Sequence, residues 1–324
     1  MSPVGQIERI TQDRIISLFA DKSKLDYEYL GDWHDRLNNS NIEEGYLRKY
    51  LKENGYNDTL IGKAITELKK VASVQNKNLY DINKAVYTIL RYGAKVKEDV
   101  GENTQTVRLI DWENPKNNHF AIAEEVSIKG ENKKRPDIVI YVNGIALGTL
   151  ELKRSTVSVS EGIRQNLDNQ KSMFIMPFFA TVQLVMAGND TEGLRYGVIQ
   201  TPEKYYLKWK EESDVENLLD RQILQVCQKE RFLELIHDFI VFDAGIKKIC
   251  RHNQYFGVKA AKKRVREREG GIIWHTQGSG KSLIMGCITF VSGLIETPGN
   301  NLYSMPEIAN LGKFKIKREK NSGP

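Results

Sequence analysis

Residues 136–153 read PDIVIYVNGIALGTLELK. Two apolar runs, Asp137 to Val142 and Ile145 to Lys153, flank Asn143-Gly144, the dipeptide best suited to a two-residue β-hairpin turn. Side chains alternate along a strand, so Glu151 and Lys153 project from one face while Leu150 and Leu152 face the core. The turn folds Asp137 back toward the Glu151–Lys153 pair. Two carboxylates at close range suit Mg²⁺, a hard cation that takes oxygen ligands and keeps several waters. Asp137 and Glu151 are therefore the candidate metal ligands, and the backbone carbonyl of Leu152, between Glu151 and Lys153, is a further one. Lys153 is placed to position water or to neutralise charge on a phosphate. Carboxylates, a metal and one cation suffice for phosphodiester hydrolysis. A solvated strand face with an incidental Glu–Lys ion pair is the competing reading.

Upstream, apolar residues recur at spacings of three and four over Ile7 to Phe19, Ile42 to Leu51, Leu60 to Val71 and Ile82 to Leu90, which predicts helices. Breaks such as Asn54-Gly55-Tyr56 separate them. Thr106 to Asp111 and Phe120 to Ile128 read as strands. Downstream of Lys153, a helix is predicted over Val159 to Phe174, then a buried strand over Phe179 to Ala187. Further helices follow at Glu216 to Gln225, Glu230 to Phe242 and Ile246 to about Glu269. The central order is helix, three strands, helix, strand.

A second motif lies nearer the end. Ile272-Ile273-Trp274 reads as a short strand, His275 to Gly280 as a loop, and Ser282 to Leu294 as an apolar helix. In Gly278-Ser279-Gly280-Lys281-Ser282 the glycines let backbone N–H groups turn toward an anion, and the helix N-terminus adds its dipole. Lys281 would reach the β/γ-phosphates of ATP, and Ser282 would hold its Mg²⁺. The first glycine of the general pattern is replaced by His275. The basic run from Lys247 to Arg268 fits either a phosphate backbone or a solvated helix face.

The Pro136-Asp137…Glu151-x-Lys153 pattern and its element order resemble the core of the PD-(D/E)XK nuclease superfamily. Together with the Trp274–Ser282 loop, and with Gly31-Asp32-Trp33 and Asn38 to Glu44, they resemble the R subunit of type I restriction–modification enzymes. That resemblance implies an α/β fold: a helical N-terminal region, an αβββαβ restriction-endonuclease-like core, then the start of a P-loop RecA-like motor. It implies Mg²⁺-dependent endonucleolytic cleavage of duplex DNA, coupled in the full-length family to ATP-driven translocation. It implies methyltransferase and specificity subunits as partners. Members resemble RecB-family nucleases in having Gln-x-x-x-Tyr on the helix after the Lys. Here Gln165 is present and Asn169 stands at the Tyr place. Glu8, on the first helix, is a candidate third carboxylate. Arg251 to Phe256 resembles the Q-type motif of superfamily 2 helicases, which makes Gln254 the candidate adenine reader.

The expected organisation is a nuclease domain over 1–205, connecting helices over 206–245, the start of a motor over 246–297 and an irregular tail over 298–324. The second acidic motif of such a motor does not follow Ser282, so a fragment without motor-rate ATP hydrolysis is expected. A non-catalytic DNA- or subunit-binding remnant, or an unrelated P-loop ATP-using enzyme, are the alternatives the sequence leaves open. The 324 residues carry 48 Lys and Arg against 42 Asp and Glu, a mild net charge of +6 that permits a polyanion partner without demanding one. Three widely spaced cysteines, Cys227, Cys250 and Cys287, offer no disulfide or zinc spacing. There is no N-terminal apolar run and no stretch near the ~18 residues of a membrane span, so a cytoplasmic protein without membrane contact is expected.

Overall fold

A computed structural model describes residues 3–73, 77–130 and 132–268 of the chain. In chain order the elements are α1 (Pro3–Ala20), β1 (Glu28–Asp32), α2 (Glu44–Glu53), α3 (Asp58–Ala72), α4 (Leu79–Tyr92), β2 (Ala94–Val96) and β3 (Gln105–Val107). There follow β4 (Phe120–Glu124), β5 (Ile138–Val142), β6 (Ile145–Leu152), α5 (Val159–Asn169), β7 (Leu184–Asn189) and β8 (Gly193–Gly197). The last are α6 (Leu218–Val226), α7 (Lys229–Phe239), β9 (Ile240–Asp243), β10 (Ile246–Ile249) and α8 (His252–Arg266). Helix starts follow capping chemistry: Asn57, Asn78 and Asn217 accept from the backbone N–H of Leu60, Asp81 and Asp220 at 2.8–3.0 Å.

The main sheet has the order β1-β4-β5-β6-β7-β8. Strands β4, β5 and β6 form an antiparallel meander, β7 runs parallel to β6, and β8 returns antiparallel to β7. The sequence-predicted order of α1, β4, β5, β6, α5 and β7 is present, with β1, α2–α4 and the β2–β3 ribbon inserted between α1 and β4. Asn143 and Gly144 both take left-handed φ, 51° and 79°, as the predicted two-residue turn requires. A Cβ at position 144 would lie 2.6 Å from the Glu43 carbonyl oxygen, so only glycine fits there.

Beyond the turn, Tyr141 pairs with Ala146 but Ile140 pairs with Gly148, leaving Leu147 as a bulge. This one-residue offset decides the site. Without it Asp137 would stand opposite Leu150; with it Ile138 opposes Leu150, and Asp137 comes opposite Glu151 on the same face.

Both faces of the sheet are covered, and every residue of β6 is buried. Leu150 and Leu152 pack into a cluster with residues of α1–α4, α6 and α7. The opposite face, solvated on the competing reading, lies under α5 and the 3₁₀ turn Met176–Ala180. Helix α5 comes close because Gly162 has no side chain: a Cβ there would be 3.1 Å from that of Ala187 and 3.6 Å from that of Glu151.

Several expected elements differ. Thr106 to Asp111 contributes only to the separate β2–β3 ribbon. The strand expected over Phe179 to Ala187 begins at Leu184, because buried Asn83 donates to the carbonyls of Phe179, Ala180 and Val182 and holds that bend open. The helix expected to Phe242 ends at Phe239, and the one expected from Ile246 starts at His252. Between them β9 and β10 form a hairpin around Ala244-Gly245, whose φ values are 44° and 85°. The β1 and β8 strands were not anticipated. The 206–245 segment does not stand apart as a connector: Trp209, Leu219, Ile223 and Phe232 are buried in the same core as the sheet. Cys227 and Cys250 are both buried. Among the described residues no helix is long and apolar enough to cross a membrane. The phosphate loop with Gly278, Ser279, Gly280, Lys281 and Ser282, and the 298–324 tail, lie outside the described residues.

Candidate active site

Asp137 immediately precedes β5, Glu151 lies near the end of β6 and Lys153 just follows it, so the hairpin and its bulge bring them together. Asp137 Oδ2 accepts the backbone N–H of Leu152 at 2.6 Å, and its carboxyl is within hydrogen-bonding reach of Glu151. Glu151 is fully buried. From α5, Gln165 Nε2 donates to Glu151 Oε2 at 2.6 Å and Asn169 Nδ2 to Oε1 at 3.2 Å. The Asn at the place of the pattern's Tyr thus touches the same carboxylate as Gln165. Glu8 on α1 does not join the carboxylate pair; its Oε1 lies 3.3 Å from Lys153 Nζ.

Charge and burial conflict here. Burial pushes the Asp137 carboxyl up to about 6, against the pull of Lys153 and the Leu152 N–H, with Glu125 and Glu8 adding to the rise. Glu151 is pushed well above the carboxylate range by burial and then by the Asp137 charge. Burial opposes the charge on Lys153, but Asp137, Glu151 and Glu8 together outweigh it and hold its pKa up. Three carboxylates therefore share one nearby ammonium.

The floor of this cluster opens into a cleft of about 720 Å³ that Asp137 and Gln165 reach, walled by Glu8, Arg9 and Gln12 of α1 on one side and by 133–135 on the other. Among the described residues no three of His, Cys, Asp and Glu gather at metal-binding distance. The donor set that could hold a cation is thus two carboxylates with room for a backbone carbonyl and waters, which fits Mg²⁺ better than a closed protein cage. A second observation agrees: Asn169 Oδ1 is buried with no donor among the described residues, so the site is rich in acceptors and short of positive charge.

Some neighbours carry no sequence signal. Glu125 takes a left-handed φ of 51°, accepts from Gln12 Nε2 at 3.2 Å and pairs with Arg135. The Tyr206 hydroxyl is buried without a partner among the described residues, and its pKa is raised by burial and by the Glu151 charge. Gln254 lies elsewhere, buried on α8, where its Oε1 accepts the backbone N–H of Arg251 at 2.8 Å and closes the first turn. Lys247 leaves the basic run altogether: it is buried, donating to Asn83 Oδ1 and Gln183 Oε1.

Comparison with known proteins places this geometry in context. Residues 6–204 match the family model for the type I restriction enzyme R protein N terminus. Residues 253–301 match that of the SWI2/SNF2 ATPases. The chain is 29% identical over 255 residues to the type I restriction enzyme HindI endonuclease subunit of Haemophilus influenzae, covering 70% of this chain and 23% of that protein. It is 26% identical over 250 residues to the SsaAORF53P endonuclease subunit of Staphylococcus saprophyticus, covering 73% and 26%. It is 28% identical over 262 residues to the MjaIXP protein of Methanocaldococcus jannaschii, provisionally named an endonuclease subunit of the same kind, covering 68% and 25%. The chain spans about a quarter of the length of these relatives.

Proposed function

The chain belongs to the family of type I restriction enzyme R proteins, by their N-terminal region, and from that premise we propose that the Asp137–Glu151–Lys153 cluster is a Mg²⁺-dependent endonuclease site acting on duplex DNA. The observation that carries the proposal is the meeting of a buried carboxyl, Glu151, with the half-buried Asp137 beside Lys153 under an open cleft, both carboxyls being pushed upward in pKa. On this reading the αβββαβ segment is a PD-(D/E)XK core.

Asp137 and Glu151 would hold the cation, and the Leu152 carbonyl is the candidate for a third oxygen. Bound Mg²⁺ supplies an acidified water and a counter-charge for the leaving oxygen. Gln165 and Asn169 fix the orientation of Glu151, since each donates to one of its oxygens. Lys153 stands where phosphate charge grows, and Glu8 holds the ammonium in place from α1. Without a cation the Asp137–Glu151 pair retains a proton near neutral pH. Metal affinity therefore rises with pH through about 6, the value to which Asp137 is pushed.

We extend the proposal to ATP. Residues 246–297 begin a helicase-like motor in which Gly278, Ser279, Gly280, Lys281 and Ser282 cradle ATP and its Mg²⁺, a reading supported by the similarity to SWI2/SNF2 ATPases. Gln254, whose Oε1 caps α8, is proposed as the adenine reader through its amide nitrogen. Translocation of DNA and assembly with methyltransferase and specificity subunits are proposed on family membership alone.

Conversion of supercoiled plasmid to nicked or linear DNA tests the site. Cleavage is expected with Mg²⁺ or Mn²⁺ and not in EDTA. Asp137→Ala and Glu151→Ala are each expected to abolish it with unchanged circular dichroism. Undiminished cleavage in either variant would refute the assignment.

A further inference from the structure

Four cations, Lys129, Lys133, Lys134 and Arg135, stand within seven positions just before Pro136-Asp137. The one acid among them, Glu131, lies outside the described residues. The segment is a short hairpin. Ile128 and Lys134 exchange backbone hydrogen bonds of 2.9 and 3.3 Å at its base, in an antiparallel bridge. The hairpin is braced from one side by the 173–174 loop. Asn132 Nδ2 donates to the Met173 carbonyl at 2.9 Å, and Lys134 Nζ lies 4.2 Å from the centre of the Phe174 ring. A Cβ on Gly130 would fall 2.0 Å from the Phe174 carbonyl oxygen, so that approach requires glycine.

The four cations have divided roles. Arg135 pairs with Glu125 and touches His34, and Lys134 covers Phe174. Lys129 and Lys133 are exposed and pair with no carboxylate among the described residues. Their position matters more than their number. Lys133 and His34 line both the cleft above Asp137 and a neighbouring opening of about 420 Å³ floored by Ser127 and Asn39; Lys129 lines that second opening. A path therefore leads from Asp137 past Lys133 to Lys129, along which these two lysines make no ion pair among the described residues, while the acids lining the openings, besides Asp137, are Glu8, Glu125 and Asp35.

We propose that this hairpin is a backbone clamp for duplex DNA, in which Lys133 and Lys129 contact successive phosphates of the strand whose scissile phosphate lies at Asp137 and Glu151. The inference rests on the nuclease reading of that site and adds a binding surface to it. Lysines on a flexible stem suit phosphate contacts without base readout, which positions DNA and leaves sequence choice elsewhere. The braced base keeps the clamp in register with the metal-binding carboxylates, while the exposed tips allow any sequence to enter.

The test is binding of the full chain to a short fluorescein-labelled duplex, followed by anisotropy over a range of KCl concentrations in EDTA, where no cleavage occurs. Lys129→Ala/Lys133→Ala should weaken binding equally for two unrelated sequences and reduce the slope of log K against log salt by about 1.8, two phosphate contacts. Lys52→Ala/Lys70→Ala, which removes the same charge from side chains 73% and 75% exposed on α2 and α3, should leave the slope unchanged. An unchanged slope in the hairpin variant, an equal loss in the control, or no binding by the unaltered chain would overturn the clamp. Because the assay needs neither metal nor catalysis, a failure of the nuclease reading appears separately, as plasmid cleavage indifferent to Glu151→Ala.

Discussion

Two hairpins of this chain each bury a charged residue, and they treat it differently. The β5–β6 hairpin buries Glu151 and the β9–β10 hairpin buries Lys247; both turn through two residues of left-handed φ. Around Lys247 stand two neutral oxygens, Asn83 Oδ1 at 2.8 Å and Gln183 Oε1 at 2.6 Å. Those amides are themselves fixed, since their nitrogens donate to backbone carbonyls of 179–182. Burial alone lowers the Lys247 pKa. Around Glu151, by contrast, stands a second carboxylate, and Glu8 adds a third that Lys153 must share. Burial of a charge is thus not what marks a site. Lys247 is solvated by oriented dipoles and ties β10 to the bend before β7. The Asp137–Glu151 pair carries negative charge that the chain does not balance, and it opens on a cleft.

The largest difference between the hairpins should appear in cleavage. Removing the Glu151 or Asp137 carboxylate should cost three powers of ten or more, about the several kcal/mol that a bound cation supplies to charge stabilisation. Lys247→Met, measured per folded molecule, should cleave like the unaltered chain. A comparable loss in both would make Lys247 part of the chemistry and erase the contrast.

Lys153 sharpens the comparison within the first hairpin. Lys153→Ala should reduce cleavage by about 10²-fold while Mn²⁺ affinity at pH 8, read by calorimetry, is kept or raised, because the ammonium repels the incoming cation. Loss of affinity with cleavage intact would assign Lys153 to metal binding instead.

The smallest effect, and the most diagnostic in sign, is on stability against pH without divalent cations. Asp137 is pushed to about 6 in the folded chain and Glu151 well above the carboxylate range. The stability their protonated forms support is therefore full below about pH 4 and is lost as pH rises through about 6 for Asp137 and at higher pH for Glu151. Glu151→Gln should therefore melt a few degrees above the unaltered chain at pH 8, the gap closing toward pH 4. Lys247 is shifted the other way: its folded pKa is lowered from 10.5, so its burial costs stability at neutral pH and the cost fades as pH climbs toward 10.5. Lys247→Met should lose that alkaline gain. Melting curves of the three proteins from pH 4 to about 10 decide both signs.

The sequence made much of the first hairpin legible and little of the second. Asn143-Gly144 names its turn chemistry outright, and Glu151-x-Lys153 names its face. Asp-Ala-Gly-Ile at 243–246 gives a weaker signal, and the charged Lys247 and Lys248 resemble a helix surface more than a strand. Three further features were hidden because they depend on tertiary packing. The Leu147 bulge, which sets the parity of Asp137 against Glu151, has no residue that demands it. The burial of Glu151 follows from α5 settling over Gly162. The Asn169 contact depends on the exit of that helix, which ends at Asn169, short of the predicted Phe174.

The central claim is that the Asp137–Glu151 pair is a cation site, and direct metal binding tests it most plainly. Calorimetric titration of the chain with MnCl₂ at pH 5 and pH 8 should show one site, tighter at pH 8 because Asp137 is pushed to about 6, and absent in Glu151→Gln. Binding that is undiminished in Glu151→Gln, or no binding to the unaltered chain at pH 8, would contradict the account.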